Sequence, residues 1–329
     1  MCFAESMSRR RFLGTGIATG LAATAAGSAM FPGVAVGAER PARGGGPGSS
    51  GVSFRWFGTN GWEIRFRDKV ILMDPWFGRF PTGFFTGDFD PTTPLVVRQD
   101  LIDQHITTAD QILIGHGHWD HLTDIPTIAQ QTGAMVIGSE THANVLRATG
   151  QVAENNIVIV EGGEFMQFDG YTIQVFPALH SMGPTKKFAV PGHLLSVPPA
   201  PTTVGDLPEG DSLIYQITLD DGFSIFLMST ANFVEREIAG LRPDVALIAS
   251  IFFTQIHDYT RRLLDALGKP RWILPTHWDN FERPFSDGPH DLSDVFGQAG
   301  SLDFWIDQAK GVSPHSRFVV LDFFETFTP

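Results

Sequence analysis

Residues Ile112 to Leu122 read ILIGHGHWDHL, which places three histidines and an aspartate within the six positions His116 to His121, directly after an apolar run. Neutral imidazole and carboxylate are ligands for divalent cations, and they also move protons near neutral pH. A lone H-x-H would suit any exposed polar loop. Four ligand-type residues in the order H-x-H-x-D-H, at the mouth of an apolar strand, point to metal. A turn there can aim His116 and His118 at one ion while Asp120 and His121 face a second. The chemistry this supports is hydrolysis by a metal-activated hydroxide, with Asp120 orienting the nucleophile or carrying its proton.

Such a turn needs a rigid strand before it and a sheet around that strand. QILIG (Gln111 to Gly115) is a continuous apolar run that predicts a central strand. Before it, VSFRWF, WEIRFR and KVILM are short β-rich runs separated by Gly, Asn or Asp, as in a meander. Helical periodicity follows over Asp124 to Gln131 and Thr141 to Ala148, then strands at NIVIV and YTIQVF. The second half repeats this logic. SLIYQITL, FSIFLM and DVALIAS read as strands and YTRRLLDALG as a helix. RWILP is a strand ending at Thr276 and His277, and a helix near Leu302 to Ala309 with the strand RFVVL closes the chain. Strand-rich halves with helices between them predict an α/β fold of four layers, an αββα sandwich, as one domain over residues 52–329. No short repeat is present. Two stretches stay irregular: the aromatic-rich Pro75 to Pro94 and the Pro-rich Ser181 to Gly210. Loops of that length in a compact domain are commonly functional, and the first could wall an apolar pocket. Lys186 and Lys187 in the second read as a solvated pair, with an anionic group as the alternative partner.

The N-terminus reads as an address. SRRRFLG (Ser8 to Gly14) precedes a mildly apolar Gly/Ala/Thr stretch to about Met30, which resembles a twin-arginine signal peptide over residues 1–38. That stretch is too broken by Gly and Thr to predict a stable membrane span. Glu39 to Gly51 is a Pro/Gly/Ser linker. The expected location is periplasmic or secreted. The formal net charge is -13, and residues 1–38 carry Arg9, Arg10 and Arg11 against Glu5, a net of +2, so the mature chain would carry -13 - 2 = -15. Without a basic stripe, a nucleic-acid partner is excluded and a small molecule expected. Cys2 is the only cysteine and lies in the signal, so the mature protein has no disulfide and no thiolate ligand. Histidine and carboxylate remain, a set that accepts zinc, manganese or iron, with zinc the default for a hydrolase.

His116-Gly117-His118-Trp119-Asp120-His121 resembles the H-x-H-x-D-H motif of the metallo-β-lactamase superfamily, whose αββα sandwich carries a dinuclear site at the sheet edges. The likeness covers most of the chain from Val52. The opening WFGTNGWEIRF…VILMDPWF and the later PTHWDNF are similar to the branch with ascorbate-6-phosphate lactonases and N-acylphosphatidylethanolamine-hydrolysing phospholipase D. The resemblance implies His180, after YTIQVF, as the third ligand of the first metal. It implies His277, after RWILP, beside Asp120 and His121 at the second. Asp74 is expected to buttress the site rather than to bind metal. His105, His142, His193, His257, His290 and His315 have no such support.

One residue that the resemblance implies is missing. After FSIFLM the family usually carries Gly-Asp-Thr, whose aspartate bridges both metals, whereas this chain reads Ser229-Thr230-Ala231-Asn232. An ungapped count puts Thr230 at the aspartate's place, and a one-residue shift puts Ala231 there. With one negative charge fewer, the expectation is one tightly held zinc and a second ion that is weaker or absent. The leading reading is an exported hydrolase of an ester, lactone or phosphodiester in a small or lipid-like molecule. Alternatives are a non-catalytic metal-binding module on the same fold and a β-lactam hydrolase.

Overall fold

The computed structural model describes residues 51–329. The expected signal peptide, and the linker up to Ser50, lie outside the described residues.

Three strands, β1 (Ser53–Gly58), β2 (Gly61–Phe66) and β3 (Lys69–Met73), form an antiparallel meander. β4 (Gln111–Leu113), β5 (Met135–Gly138) and β6 (Ile157–Ile159) extend it in parallel. The second half repeats the plan. β7 (Phe165–Phe168), β8 (Tyr171–Pro177), β9 (Leu213–Leu219) and β10 (Ser224–Met228) run antiparallel. β11 (Val245–Ala249), β12 (Trp272–Thr276) and β13 (Arg317–Phe318) follow in parallel. A last short strand, β14 (Thr326–Phe327), returns to pair with β1, giving two seven-stranded sheets.

Parallel neighbours need crossovers, and helices supply them. The first half carries α1 (Gln99–His105), α2 (Trp119–Leu122), α3 (Ile125–Thr132) and α4 (Glu140–Thr149). The second carries α5 (Glu235–Ile238), α6 (Tyr259–Ala266), α7 (Ser293–Phe296) and α8 (Leu302–Val312). Strand parity decides what each face meets. Val70, Leu72, Ile112 and Val136 share a core with Ile102, Ile128 and Leu146 of the helices. Their neighbours Ile71, Met73, Leu113 and Ile137 pack with Ile173, Tyr215 and Ile225 of the other sheet. Strands buried on both faces read as continuous apolar runs, which is why KVILM and FSIFLM show no alternation. Leu263 of α6 and Trp305 of α8 join the second sheet's core, completing the expected αββα layers.

Among the elements that carry no pattern in the sequence are α1, β7 and β14. α1 buries only Ile102, so it has no apolar period. β7 and β14 lie at the margins of their sheets and are held by backbone pairing to one neighbour each. RFVVL pairs only over Arg317–Phe318, where β12 offers partners.

The aromatic segment after β3 is latched to the segment after β12. Arg79 meets Asp279 at 2.8 Å with both side chains buried, and donates to the carbonyls of Asn280 at 2.7 Å and Arg283 at 2.6 Å. Glu282 accepts from the amides of Thr82 at 2.6 Å and Phe84 at 3.1 Å, fixing the turn that presents Phe84. Asp124, just before α3, accepts the Phe77 amide at 2.6 Å through Oδ2, while its buried Oδ1 has no partner among the described residues.

Burial pushes the Asp124 carboxyl up to about 7, against the pull of the Phe77 amide. Because this acid titrates higher when folded, its stabilising contribution is complete at low pH and is lost as pH rises through that value. Asparagine keeps the acceptor without the charge. Thermal midpoints of Asp124→Asn and the parent should coincide near pH ~4 and diverge up to pH ~7, the variant being the more stable. A constant difference across that range would refute the assignment.

Candidate metal centre

Five strand ends converge on one margin of the sandwich. Asp74 follows β3, His116 follows β4, His180 follows β8, Thr230 follows β10 and His277 follows β12. Asp74, His277 and Thr59 all hold positive φ without being glycine, at 41°, 48° and 50°. Such backbone strain gathers where surrounding structure over-determines a site.

Two triads result, His116 with His118 and His180, and Asp120 with His121 and His277. In the first, Nε2 of His116 and Nε2 of His180 lie 3.2 Å apart. In the second, Nε2 of His121 and of His277 are also 3.2 Å apart, and each lies 3.3 Å from Oδ2 of Asp120. All six expected residues are thus brought together, in the two sets expected.

The far nitrogens explain the orientation. His116 Nδ1 is 3.1 Å from Ser229 Oγ, His118 Nε2 is 3.3 Å from the Val190 carbonyl, and His180 Nδ1 is 2.7 Å from the Ser181 carbonyl. His121 Nδ1 lies 2.8 Å from Asp74 Oδ2, the buttress that the sequence predicts. A ring that donates one N–H to a carbonyl or carboxylate keeps a bare lone pair on its other nitrogen. His180, whose Nδ1 faces a carbonyl, therefore turns a bare Nε2 lone pair towards Nε2 of His116, while the outer nitrogen of His116 meets a hydroxyl that can donate or accept. A divalent cation suits two such nitrogens facing one another, so the donor set fits a metal. His277 differs, since its buried Nδ1 has no hydrogen-bond partner among the described residues.

Electrostatics agree. Burial, then the charges of the neighbouring imidazoles, hold His116 and His180 well below the usual histidine range. Burial lowers His118 to about 4 although Asp120 pulls the other way. These rings stay neutral, the form that binds metal. Burial would raise Asp120, but the His121 charge and hydrogen bonds from His121 and His277 outweigh it and keep the carboxylate ionised. Burial likewise opposes a charge on His121, yet Asp120 and Asp74 lift it to about 9. The carboxylate pair that stabilises a proton there would also stabilise a divalent cation.

The residue register after β10 is decided here. Thr230 lines the cavity above the triads, whereas Ala231 is buried in the core between the sheets. Thr230 Oγ1 accepts the Ser181 amide at 3.0 Å, and Asn232 donates to the His180 carbonyl at 3.0 Å. Among the described residues no carboxylate stands between the triads on this side, and Asn232 props His180 instead of replacing one.

The other histidines belong to neither triad. His142 takes part in the capping box of α4, with Nδ1 accepting the Ser139 amide at 2.9 Å, and His105 stacks on Phe324 at 3.8 Å. His193 faces Asp211, His290 bonds the Asp287 carbonyl, and His257 and His315 are exposed. The cavity of about 330 Å³ over the triads draws on residues that sequence reading missed, Phe188, Phe252, Phe281 and Phe296. Nothing in their local pattern distinguishes them from core aromatics. Phe84 and Phe89 of the aromatic segment also line it, while Trp76, Phe77 and Phe85 cap the core. Lys187 reaches the cavity rim, and Lys186 bonds the Gln255 carbonyl at 3.0 Å on the surface.

A family model, the beta-lactamase superfamily domain, matches residues 69–278. A metal-dependent hydrolase of Polynucleobacter asymbioticus is 29% identical over 234 residues, covering 68% of this chain and 73% of that protein. Among solved structures, Igni18, a metallo hydrolase of the hyperthermophilic archaeon Ignicoccus hospitalis, superposes with a TM-score of 0.52 at 19% identity, covering 84% of this chain and 97% of the other. The metallo-beta-lactamase fold protein YhfI of Bacillus subtilis gives 0.50 at 14% identity, covering 84% and 99%. The two solved structures share the fold. Motif order, paired sheets and the family match agree, and this chain belongs to the beta-lactamase superfamily, with the metallo-β-lactamase fold.

Proposed function

We propose that this protein is an exported metal-dependent hydrolase of the lactonase and phospholipase-like branch, opening an ester, lactone or phosphodiester bond in a small or lipid-like substrate. The observation that carries the reading is two triads of inward-turned donors at the floor of an apolar cavity. His116, His118 and His180 would hold one ion, and Asp120, His121 and His277 a second. A divalent metal bound there, zinc by donor type, brings a water's pKa towards about 7 and polarises a substrate oxygen.

The chain's own groups supply the rest. Asp120, ionised and within 3.3 Å of two imidazoles, is placed to accept the proton of the attacking water. Asp74 keeps His121 Nε2 turned to the site through its bond to Nδ1. Thr230 Oγ1 accepts the Ser181 amide and retains its own proton for donation into the cavity. The aromatic walls exclude water from the reacting bond.

Activity is tested on metal-loaded protein with panels of generic esters, lactones, phosphodiesters and β-lactams. Turnover of an ester or lactone is expected, and His118→Ala should lower it by more than the 10–100-fold typical of losing an outer partner of a metal ligand. No turnover in any panel would favour the non-catalytic module, and turnover confined to β-lactams the third reading.

Unequal ions follow from the threonine that stands at position 230 in place of a carboxylate. After dialysis against a mild chelator, native mass spectrometry should count one retained ion in the parent and two in Thr230→Asp. Two equally tight ions in the parent would overturn this.

Export rests on SRRRFLG. Replacing Arg9 and Arg10 by lysine should leave the protein in the cytoplasmic fraction, and undiminished export would refute the twin-arginine route.

A further inference from the structure

We propose that the cavity selects an ester or lactone whose apolar part is an uncharged, ring-sized group, with Phe84 setting that preference; this rests on the hydrolase reading of the same site. The cavity shares His116, His180 and Asp120 with the triads, so a group lodged in it delivers the bond attached to it to those atoms. Its wall is built from Phe84, Phe89, Trp119, Phe252, Phe281 and Phe296.

Phe84 is the hub of that wall. Its ring centroid lies 5.2 Å from Phe85, 5.8 Å from Phe281, 6.0 Å from both Trp119 and Phe252, and 6.1 Å from Phe89. Phe84 is itself only half-buried, which leaves ring surface open to the cavity. The wall is also stiff. Glu282 holds the amides of Thr82 and Phe84, and Phe252 is carried in the left-handed region at φ 55°, which a large side chain rarely adopts. A stiff aromatic cluster accepts another ring edge-on or offset, and gives a flexible chain no comparable partner.

Charge on the apolar part is disfavoured by the same wall. Among the described residues Lys187 is the one lysine or arginine that lines the cavity, and it is exposed at the rim, where water and salt screen it. Phosphoryl groups are usually gripped by arginine forks or clustered backbone amides, and among the described residues no arginine lines this cavity. An anionic substituent against the phenyl rings would lose its water without gaining a partner.

The test uses ketones, which mimic the ester carbonyl and have no bond to hydrolyse. Calorimetry on metal-loaded protein should show 4-phenyl-2-butanone binding at least about tenfold tighter than 2-butanone. Phe84→Ala should abolish most of that ratio, Phe84→Leu should keep part of it, and Phe89→Ala reads the same wall should Phe84→Ala not fold. Equal affinities, a ratio unchanged in the alanine variants, or tighter binding when the ring carries a para-carboxylate would each overturn the proposal. Kinetics separate it from the reading beneath it. Equal kcat/KM for methyl phenylacetate and methyl acetate, or preference for an aryl phosphodiester over the matching aryl ester, overturns the proposal while leaving a hydrolase. Ring-selective ketone binding without turnover of any ester upholds it and overturns the hydrolase reading instead.

Discussion

The site depends on one fully buried carboxylate. Asp74 accepts the Gly115 amide at 2.7 Å through Oδ1, and through Oδ2 the Asn60 side-chain amide at 2.8 Å, with His121 Nδ1 also at 2.8 Å. A buried charge survives only when its oxygens are satisfied, and these three partners satisfy them. In doing so they join the end of β3, the end of β4, the β1–β2 turn and the histidine turn. Gly115 has to be glycine for this to close, because a Cβ there would lie 2.2 Å from Ser229 Cβ and 2.7 Å from Asp74 Oδ2. Ser229 in turn meets His116 Nδ1, so the same close approach sets both triads.

From that point the two triads diverge. The first is three neutral rings, each with its outer nitrogen held by a hydroxyl or a backbone carbonyl. The second holds a carboxylate and the His121–Asp74 pair, but also a histidine with one nitrogen unheld among the described residues. Fixing the outer nitrogen makes a ring a better and better-aimed ligand. The asymmetry therefore arises in the surroundings of the ligands as much as in the threonine at position 230.

The aromatic segment shows how a long loop is made rigid without secondary structure. A buried ion pair, Arg79 with Asp279, ties it to the segment that carries His277, so the wall of the cavity and a residue of the second triad are one mechanical unit. Removing one partner of such a pair leaves an uncompensated buried charge, a cost of about 3–5 kcal/mol. Wall and triad are held in register by that cost.

Much was legible in the sequence because it is local. The H-x-H-x-D-H turn, the apolar runs that become doubly buried strands, and the helices with a clear period all depend on neighbours within a few residues. So did the αββα class, which follows from two strand-rich halves with helices between them. His180 and His277 were reached only through the family resemblance, which places a ligand after each of those strands. What only the tertiary structure decided involves partners distant in sequence. The Val190 and Ser181 carbonyls that orient His118 and His180 are backbone atoms in an irregular loop, and no residue type announces them. Whether Thr230 or Ala231 faces the site is a question of strand register, since a one-residue slip exchanges cavity for core. The wall assembles from residues 84, 119, 252, 281 and 296, which come together only when both sheets and the latched loop are in place. An aromatic side chain reads the same in sequence whether it fills a core or faces a substrate, and long-range packing alone separates the two.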